Sequence, residues 1–152
     1  MPRLPRIILP NVPHHITQRG NRRQTTFFIQ DDYVFYLRNL EQLSETYNVQ
    51  VVAYCLMPNH VHLLLVPPNQ KSLITVVKNL HEQYSRYLND RLGWKGCLWQ
   101  GRFFSVPMSD QHFEKCIKYI EENPVRAGLV MNAFDYKWVS QNSSNRNLNN
   151  FR

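Results

Sequence analysis

The chain has 152 residues, of which 43% are hydrophobic and 12% aromatic, and these fractions predict one packed globular domain rather than a disordered chain. Its formal charge of +7 favours a polyanionic partner, nucleic acid ahead of an anionic membrane, although many basic proteins bind neither. No segment reaches the roughly 20 continuous apolar residues of a membrane span. The three cysteines form no CxxC or CxxH pattern, which argues against a disulfide scaffold and a zinc knuckle. We therefore expect a cytoplasmic protein.

The first half of the chain predicts a strand, a helix and a β-hairpin. The segment "HHITQRGN" alternates weakly and stops at Gly20, so we expect a first strand near residues 13–19. Apolar residues then recur at helical spacing, with Asp31 or Asp32 as the N-cap. The β-branched run "VQVVAYCL" and the apolar run "HVHLLLVP" predict two strands, and the "MPN" between them predicts a tight turn.

The second half predicts a long helix, a short strand and another helix. Ser72 is the expected N-cap of the second helix, and "FFSVPM" is the expected fourth strand. A third helix should run from Ser109 or Asp110 to about Glu122, because a proline follows soon after. The segment "NPVRAGLV" then predicts one more helical turn, with Asn123 as its N-cap.

The element order β-α-β-β-α-β-α predicts the fold class. Its first six elements match the ferredoxin-like plan of the α+β class, a four-stranded antiparallel sheet with helices on one face, and an extra C-terminal helix follows. In that plan the first and third strands are central. We expect a single domain over residues 1–131, which begins with an extended proline-rich arm, and a polar, frayed tail over residues 132–152.

Two histidines begin the third strand. His60 and His62 are one residue apart, so their side chains should point to the same side of the sheet and could bind one metal ion. Two ligands are too few for a firm site, so a third is required. The alternative is two independent histidines, each hydrogen-bonded at the solvated end of the strand.

The third helix could supply the missing ligand. Tyr119 and Asn123 are four residues apart, on the flank of a buried face predicted for Phe113, Ile117 and Ile120. If this flank faces the histidines, the amide oxygen of Asn123 would complete a site suited to Mg²⁺ or Mn²⁺. Tyr119 would then be a nucleophile activated by the cation. Alternatively, Tyr119 is a core tyrosine and Asn123 is only the helix cap.

At this point the sequence resembles a known family. "MPNHVHLLL" together with "YIEENPVRAGLV" looks like the single-tyrosine HUH transposases, and most like their REP-associated branch. HUH denotes two histidines around a bulky apolar residue, here His60, Val61 and His62. The opening segment and "LWQGRFFS" are also similar to this branch, so that the resemblance covers roughly residues 2–131.

The resemblance implies roles for individual residues. His60 and His62 would be metal ligands, Tyr119 the nucleophile, and Asn123 the third ligand, at a position where insertion-sequence relatives carry Gln. It also implies a ferredoxin-like fold, a divalent ion (Mg²⁺ or Mn²⁺), and cleavage and rejoining of single-stranded DNA through a 5′-phosphotyrosine. The implied substrate carries hairpin repeats. The implied enzyme is a monomer or homodimer, associated with the bacterial nucleoid.

Basic residues and aromatic rings in the loops could contact DNA. The residues that we expect to bind DNA are Arg19, Arg22, Arg23, Lys78, Arg86, Gln100 and Arg102. Gly20 would let backbone N–H groups approach a phosphate, and Trp94, Trp99 and Phe103 could stack on unpaired bases. The alternative is that the arginines and lysines are ordinary solvated surface residues and that the tryptophans belong to the core.

Two other functions remain open from the sequence. A non-catalytic domain could bind single-stranded DNA or RNA hairpins on an RRM-like sheet, but such binding requires aromatic residues on the central strands, which carry histidines instead. A small metallohydrolase with a different substrate is disfavoured by the basic charge and by the absence of an acidic ligand on the HUH strand.

Overall fold

The computed structural model of the protein describes residues 4–140. Its helices and strands are β1 (His14–Arg19), α1 (Gln30–Thr46), β2 (Gln50–Met57), β3 (His60–Val66), α2 (Gln70–Leu92), β4 (Phe104–Pro107), α3 (Asp110–Glu121) and α4 (Asn123–Arg126), with short 3₁₀ helices at Asn21–Arg23 and Ala133–Asp135. The order of strands and helices agrees with the order predicted from the sequence. No helix in this part of the chain is long and apolar enough to cross a membrane.

The four strands form one antiparallel sheet in the order β2-β3-β1-β4. The ferredoxin-like prediction is confirmed, because β1 and β3 are the central strands. Their register pairs Thr17 with His62 and His15 with Leu64. Since alternate residues of a strand point to opposite faces, the side chains of His15, Thr17, His60 and His62 share one face of the sheet.

Helices cover both faces of this sheet. α1 and α2 pack on the face that carries Val61, Leu63 and Leu65. α3 packs on the opposite face, against Leu64 and Val66. Because both faces are covered, β3 is buried from its second residue to its end, and a strand buried on both faces requires the continuous apolar run seen in the sequence.

The predicted N-caps of α1 and α2 were wrong, because in each helix the N-cap is one residue of a hydrogen-bonded pair three positions apart. α1 has Ile29 as its N-cap, and the buried carboxylate of Asp32 accepts from the N–H groups of Phe28 (2.8 Å) and Ile29 (3.2 Å). α2 has Asn69 as its N-cap, whose side-chain oxygen accepts from the N–H of Ser72 at 2.8 Å. Ser72 is therefore the capped residue of this pair.

The chain returns to the sheet beside β2 after α4. The N–H of Leu56 donates to the carbonyl oxygen of Trp138 at 2.8 Å, and Val139 is 3% exposed in the core under α3. This part of the predicted tail is therefore packed rather than frayed. The rest of it, residues 141–152, lies outside the described residues.

Candidate active site

Two histidines stand at the entrance of the central strand β3. A two-residue turn at Pro58 and Asn59 precedes the strand, so His60 and His62 occupy the first two positions that point to the α3 side. Their ring centroids are 5.0 Å apart. His60 is half-buried and His62 is 7% exposed. The structure therefore brings the two predicted metal ligands together at one end of the sheet.

Each of these histidines has its Nδ1 atom beside a neighbouring side chain. Nδ1 of His60 lies 2.7 Å from Oδ1 of Asn59, and Nδ1 of His62 lies 3.0 Å from Nε2 of His15 on β1. Nε2 of each ring is thus the nitrogen left for a ligand. The sequence reasoning missed His15 as a site residue, although its position on the other central strand was a usable signal.

Burial keeps these imidazoles neutral at physiological pH. It lowers the pKa of His60, with a smaller contribution from the charge of Arg19. It lowers the pKa of His62 to about 3, and the neighbouring His15, His60, Arg126 and Arg19 lower it further in the same direction. Burial also lowers the pKa of His15. Neutral imidazole is the form that coordinates a metal ion.

α3 places Tyr119 beside the histidines. Ile117 and Ile120 are buried against the sheet, as the helical spacing predicted, and Tyr119 on their flank is 49% exposed. The centroid of the Tyr119 ring lies 6.0 Å from that of His62 and 6.1 Å from that of His15, in edge-on contacts. The alternative of a core tyrosine does not hold, because half of this side chain is open to solvent.

Arg126 from α4 lies against the same tyrosine. Its guanidinium carbon is 4.0 Å from the centroid of the Tyr119 ring, and Nη2 donates to the carbonyl oxygen of Tyr119. The charge of Arg126 contributes to the lowered pKa of His62. Sequence reasoning interpreted "NPVRAGLV" as a helical turn and a family motif, and missed this arginine as part of the site.

Asn123 begins α4, directly beyond the end of α3. The N-cap of α4 is Glu122, and no side-chain capping bond occurs at this end of the helix, so the prediction that Asn123 is the N-cap was wrong. The side chain of Asn123 is partly exposed, four residues after Tyr119. Its amide is therefore not committed to capping, which was the role that would have competed with metal binding.

The predicted DNA-binding residues fall into two groups. The first group lies beside the histidines: Arg19 ends β1 opposite His60, Arg22 and Arg23 follow in the next turn, and the N–H of Gln100 donates to the Arg19 carbonyl oxygen at 2.8 Å. All four predicted side chains of this group are exposed. We call these four residues the basic rim; they lie at the end of β1 and in the turn and loop next to it, beside the first residue of β3.

The second group lines a pocket of about 620 Å³ on the α2 side of the sheet. Lys78 and Arg86 from α2 and Arg102 from the loop before β4 lie in it, together with Arg6 from the N-terminal arm. The carboxylate among its lining residues is Glu82. We call this the basic pocket. It lies on the face of the sheet opposite α3 and Tyr119. Two of its lining residues, Gln18 and Gly101, adjoin Arg19 and Gln100 of the first group along the chain.

The turn after β1 differs from its predicted role as an anion cradle. The N–H of Gly20 donates to the Asn59 carbonyl oxygen (2.9 Å), and that of Asn21 donates to the Leu98 carbonyl oxygen (2.8 Å). Gly20 is required for packing, since a Cβ there would lie 2.4 Å from the Gln24 carbonyl oxygen. These two N–H groups therefore hold the turn in place.

Two of the three aromatic residues suggested for base stacking are in the core. Trp99 and Phe103 are buried, and the indole N–H of Trp99 donates to the carbonyl oxygen of His81 at 3.1 Å. Trp94 is 40% exposed and contacts Phe28 edge-on. Trp94 alone of the three presents a substantial part of its side chain to solvent.

Residues 9–123 match the sequence profile of the family described as IS200-like transposases. The match covers the sheet, the first three helices, both β3 histidines, Tyr119 and Asn123. The chain belongs to the IS200-like transposase family. Membership implies an enzyme that cleaves DNA and transfers DNA strands. The resemblance seen in the HUH and "NPVRAGLV" motifs is thereby confirmed.

Individual relatives agree with this family. A protein of Haemophilus influenzae assigned to the REP-associated tyrosine transposases is 29% identical over 121 residues, which cover 72% of this chain and 69% of the relative. The structure of a REP-associated tyrosine transposase bound to a REP hairpin superposes with a TM-score of 0.76 at 19% identity, covering 93% of this chain and 83% of the other.

A second solved structure, of a protein from Deinococcus radiodurans assigned as a transposase, gives a TM-score of 0.53 at 20% identity. It covers 80% of this chain and 97% of the other. At these identities both structures establish the fold, and they confirm the α+β architecture with a four-stranded antiparallel sheet.

Proposed function

We propose that this IS200-like transposase cleaves and rejoins single-stranded DNA beside hairpin repeats, with Tyr119 as the nucleophile. The observation that carries the proposal is the position of Tyr119. Its ring is half exposed on a helix that is otherwise anchored in the core, and it lies 6.0 Å from the ring of His62. A nucleophile must be open to its substrate and fixed beside the groups that bind the reacting phosphate.

In each step of the reaction one phosphate ester bond forms and another breaks, so the number of ester bonds stays the same. The phenol oxygen of Tyr119 attacks the phosphorus of a phosphodiester and loses its proton. The bond between phosphorus and the 3′ oxygen breaks, its electron pair stays on that oxygen, and protonation gives a free 3′-OH. The 5′ end of the DNA remains attached to Tyr119. A DNA 3′-OH then attacks this phosphotyrosine and regenerates the phenol, so no nucleotide cofactor is consumed.

The residues at the site fit a divalent metal ion. We infer that Nε2 of His60, Nε2 of His62 and the amide oxygen of Asn123 would hold it, a donor set compatible with Mn²⁺ or Mg²⁺. Within residues 4–140, no three His, Cys, Asp or Glu side chains are grouped to hold a metal, and Asn123 is proposed as the third protein ligand because its amide is not used in capping. A bound ion would polarise the scissile phosphate.

The two basic groups would hold the DNA. We propose that the basic rim of Arg19, Arg22, Arg23 and Gln100 contacts the strand that is cut, because Arg19 lies opposite His60 and the other three residues are in the turn and loop next to Arg19. We assign the hairpin, or the strand that leads into it, to the basic pocket. The relative solved with a REP hairpin supports a hairpin as the class of substrate, and the charge of both groups suits phosphate.

Covalent capture tests this proposal. The full chain is mixed with single-stranded DNA that carries a hairpin and a labelled flank, with and without Mn²⁺, and an SDS-resistant complex is measured. We expect a metal-dependent adduct on Tyr119. Tyr119→Phe should bind the hairpin as the wild type does but form no adduct, and Tyr47→Phe, at the C-cap of α1, should behave as the wild type.

Two results would contradict the proposal in different ways. An adduct formed by Tyr119→Phe would remove Tyr119 as the nucleophile. Tight hairpin binding by the wild type without an adduct under any metal would favour the alternative, a non-catalytic hairpin-binding domain on the same fold. In that case the basic pocket would retain its proposed role and the histidines would lose theirs.

A further inference from the structure

His15 and His62 contact each other through one nitrogen of each ring. Nε2 of His15 lies 3.0 Å from Nδ1 of His62, and the two rings stack with their centroids 5.2 Å apart. The register explains the contact. His15 is opposite Leu64, so it is diagonal to His62 on the same face of the two central strands, within reach of a long side chain. Both partners are thus fixed by the sheet.

A hydrogen bond between two neutral imidazoles can run in either direction, and the direction decides what His62 can bind. If His15 donates from Nε2, His62 must carry its own proton on Nε2 and has no lone pair there. If His62 donates from Nδ1, its Nε2 keeps the lone pair that a metal ion requires. The group bonded to Nδ1 of His62 therefore decides which tautomer forms: Nδ1–H, which can coordinate a metal ion through Nε2, or Nε2–H, which cannot.

The neighbouring histidine shows how the fold settles the same choice. Asn59 donates from Nδ2 to the carbonyl oxygen of Arg23 (3.4 Å), so its Oδ1 faces Nδ1 of His60 (2.7 Å). A carbonyl oxygen only accepts, so His60 must donate from Nδ1 and keep the lone pair on Nε2. Asn59 in the turn is thus the acceptor for the Nδ1 proton of His60. His15 lies at the corresponding position beside Nδ1 of His62.

We propose that His15 is a positioning residue, which accepts a hydrogen bond from Nδ1–H of His62 and so holds the Nε2 lone pair of His62 ready for the metal ion. The inference rests on the metal site of the proposed function. It assigns to His15 no contact with the ion, the DNA or the reacting atoms. Outer partners of this kind commonly change metal affinity about tenfold to a hundredfold when they are removed.

The first measurement concerns the proton alone. Long-range ¹H–¹⁵N NMR of the metal-free full chain, with ¹⁵N-labelled histidine, reports which ring nitrogen of His62 carries the proton at neutral pH. We expect Nδ1–H in the wild type and a shift toward Nε2–H in His15→Phe. A wild-type His62 protonated on Nε2 would mean that His15 is the donor, and the proposal would be overturned.

The second measurement is the affinity for Mn²⁺, followed by EPR without DNA. His15→Phe should bind Mn²⁺ about tenfold to a hundredfold more weakly than the wild type. His15→Gln, whose side-chain oxygen can reach the position of Nε2, should restore most of the affinity, and His112→Phe, an exposed histidine on α3, should leave it unchanged. Thermal melts establish that each variant is folded.

The outcomes separate this inference from the proposed function. Wild-type affinity in His15→Phe would overturn the role of His15 while leaving the metal site intact. An equal loss in His15→Gln and His15→Phe would show that the imidazole itself is needed, as a direct ligand would be, and would also overturn it. If the wild type binds no Mn²⁺, the metal part of the proposed function fails, and the NMR result still decides whether His15 sets the tautomer of His62.

Discussion

The guanidinium carbon of Arg126 lies 4.0 Å from the centre of the Tyr119 ring, and the same side chain donates to the Tyr119 carbonyl oxygen. This pair joins α4 to the last turn of α3. A cation over the face of an aromatic ring is attracted by the electrons of the ring. Arg126 therefore restrains a side chain that is otherwise half exposed, and it brings a positive charge to the place where a phosphate would bind.

We predict that Arg126→Gln slows the formation of the covalent DNA adduct about twofold to thirtyfold, because it removes an interaction worth about 0.5–2 kcal/mol. Lysine should restore the rate only in part, since it lacks the planar group that stacks on the ring. Single-turnover assays with saturating DNA measure the rate. Lys115→Gln, which removes an exposed charge from α3, should leave the rate unchanged. If Lys115→Gln and Arg126→Gln slow the reaction equally, Arg126 acts only through the net charge of the protein and not through its contact with Tyr119.

The fold and the positions of the two motif histidines could be predicted from local patterns. His15 could have been suspected from its place on the other central strand, but its contact with His62 and the contact of Arg126 with Tyr119 could not be predicted. Strand alternation places His60 and His62 on one face, and helical spacing places Tyr119 on the flank of a buried stripe. His15 approaches His62 only through the β1–β3 register, and Arg126 reaches Tyr119 only because the chain turns between α3 and α4. Neither register nor helix junction is encoded by periodicity within one element.

The helix caps show a second limit of sequence reasoning. Asn69 and Ser72 are both good capping residues, three positions apart, and either assignment satisfies the pattern. The structure selects Asn69, whose oxygen accepts from the N–H of Ser72. At α1 the capping acceptor Asp32 is itself the third residue of the helix. It also accepts hydrogen bonds from Tyr87 and Arg91 on α2, distant partners that a local sequence window does not contain.

Neutralising the basic pocket should weaken hairpin binding and reduce its dependence on salt. Each phosphate that the protein no longer neutralises should lower the slope of log K against log salt by about 0.7–0.9. We therefore expect Arg86→Ala and Arg102→Ala to bind hairpin DNA more weakly and with a shallower slope, measured by fluorescence anisotropy over a series of salt concentrations.

The control for the basic pocket is Lys71→Ala, in the first turn of α2 and outside the pocket. It should keep both the affinity and the slope of the wild type. Equal losses in all three variants would indicate a general effect of charge. Unchanged binding in Arg86→Ala and Arg102→Ala would place the hairpin elsewhere, with the basic rim as the next surface to test.

Removing the carboxylate of Asp32 should strongly destabilise the fold. Asp32 is fully buried and accepts from Tyr87 (3.0 Å) and from two nitrogens of Arg91 (3.0 and 2.6 Å), besides the two backbone N–H groups at the start of α1. Asp32→Ala leaves these donors without their acceptor, so the free energy of unfolding should fall by about 3–5 kcal/mol. Urea unfolding measures it. Asp31→Ala, at an exposed position next to it, should cost less than about 1 kcal/mol.

A buried histidine should make the protein sensitive to acid. His81 on α2 is 5% exposed, its Nε2 lies 2.8 Å from the hydroxyl of Tyr36, and its Nδ1 has no hydrogen-bond partner in the part of the chain that the structure describes. Burial lowers the pKa of His81 to about 3. The unfolded chain, with a histidine pKa near 6.5, therefore binds a proton between these values that the folded chain does not.

The sign of the effect follows from this difference in bound protons. Stability from the neutral His81 is complete above about pH 6.5 and is lost as the pH falls toward the folded pKa, by up to about 1.4 kcal/mol per pH unit. His81→Gln does not titrate and can keep a hydrogen bond to Tyr36. Urea unfolding between about pH 6 and pH 4 should give a flatter dependence of the unfolding free energy on pH for His81→Gln than for the wild type.

The control is His112→Gln, on the exposed side of α3, which should keep the wild-type slope. Equal slopes for His81→Gln and the wild type would show that His81 takes up its proton without unfolding the chain.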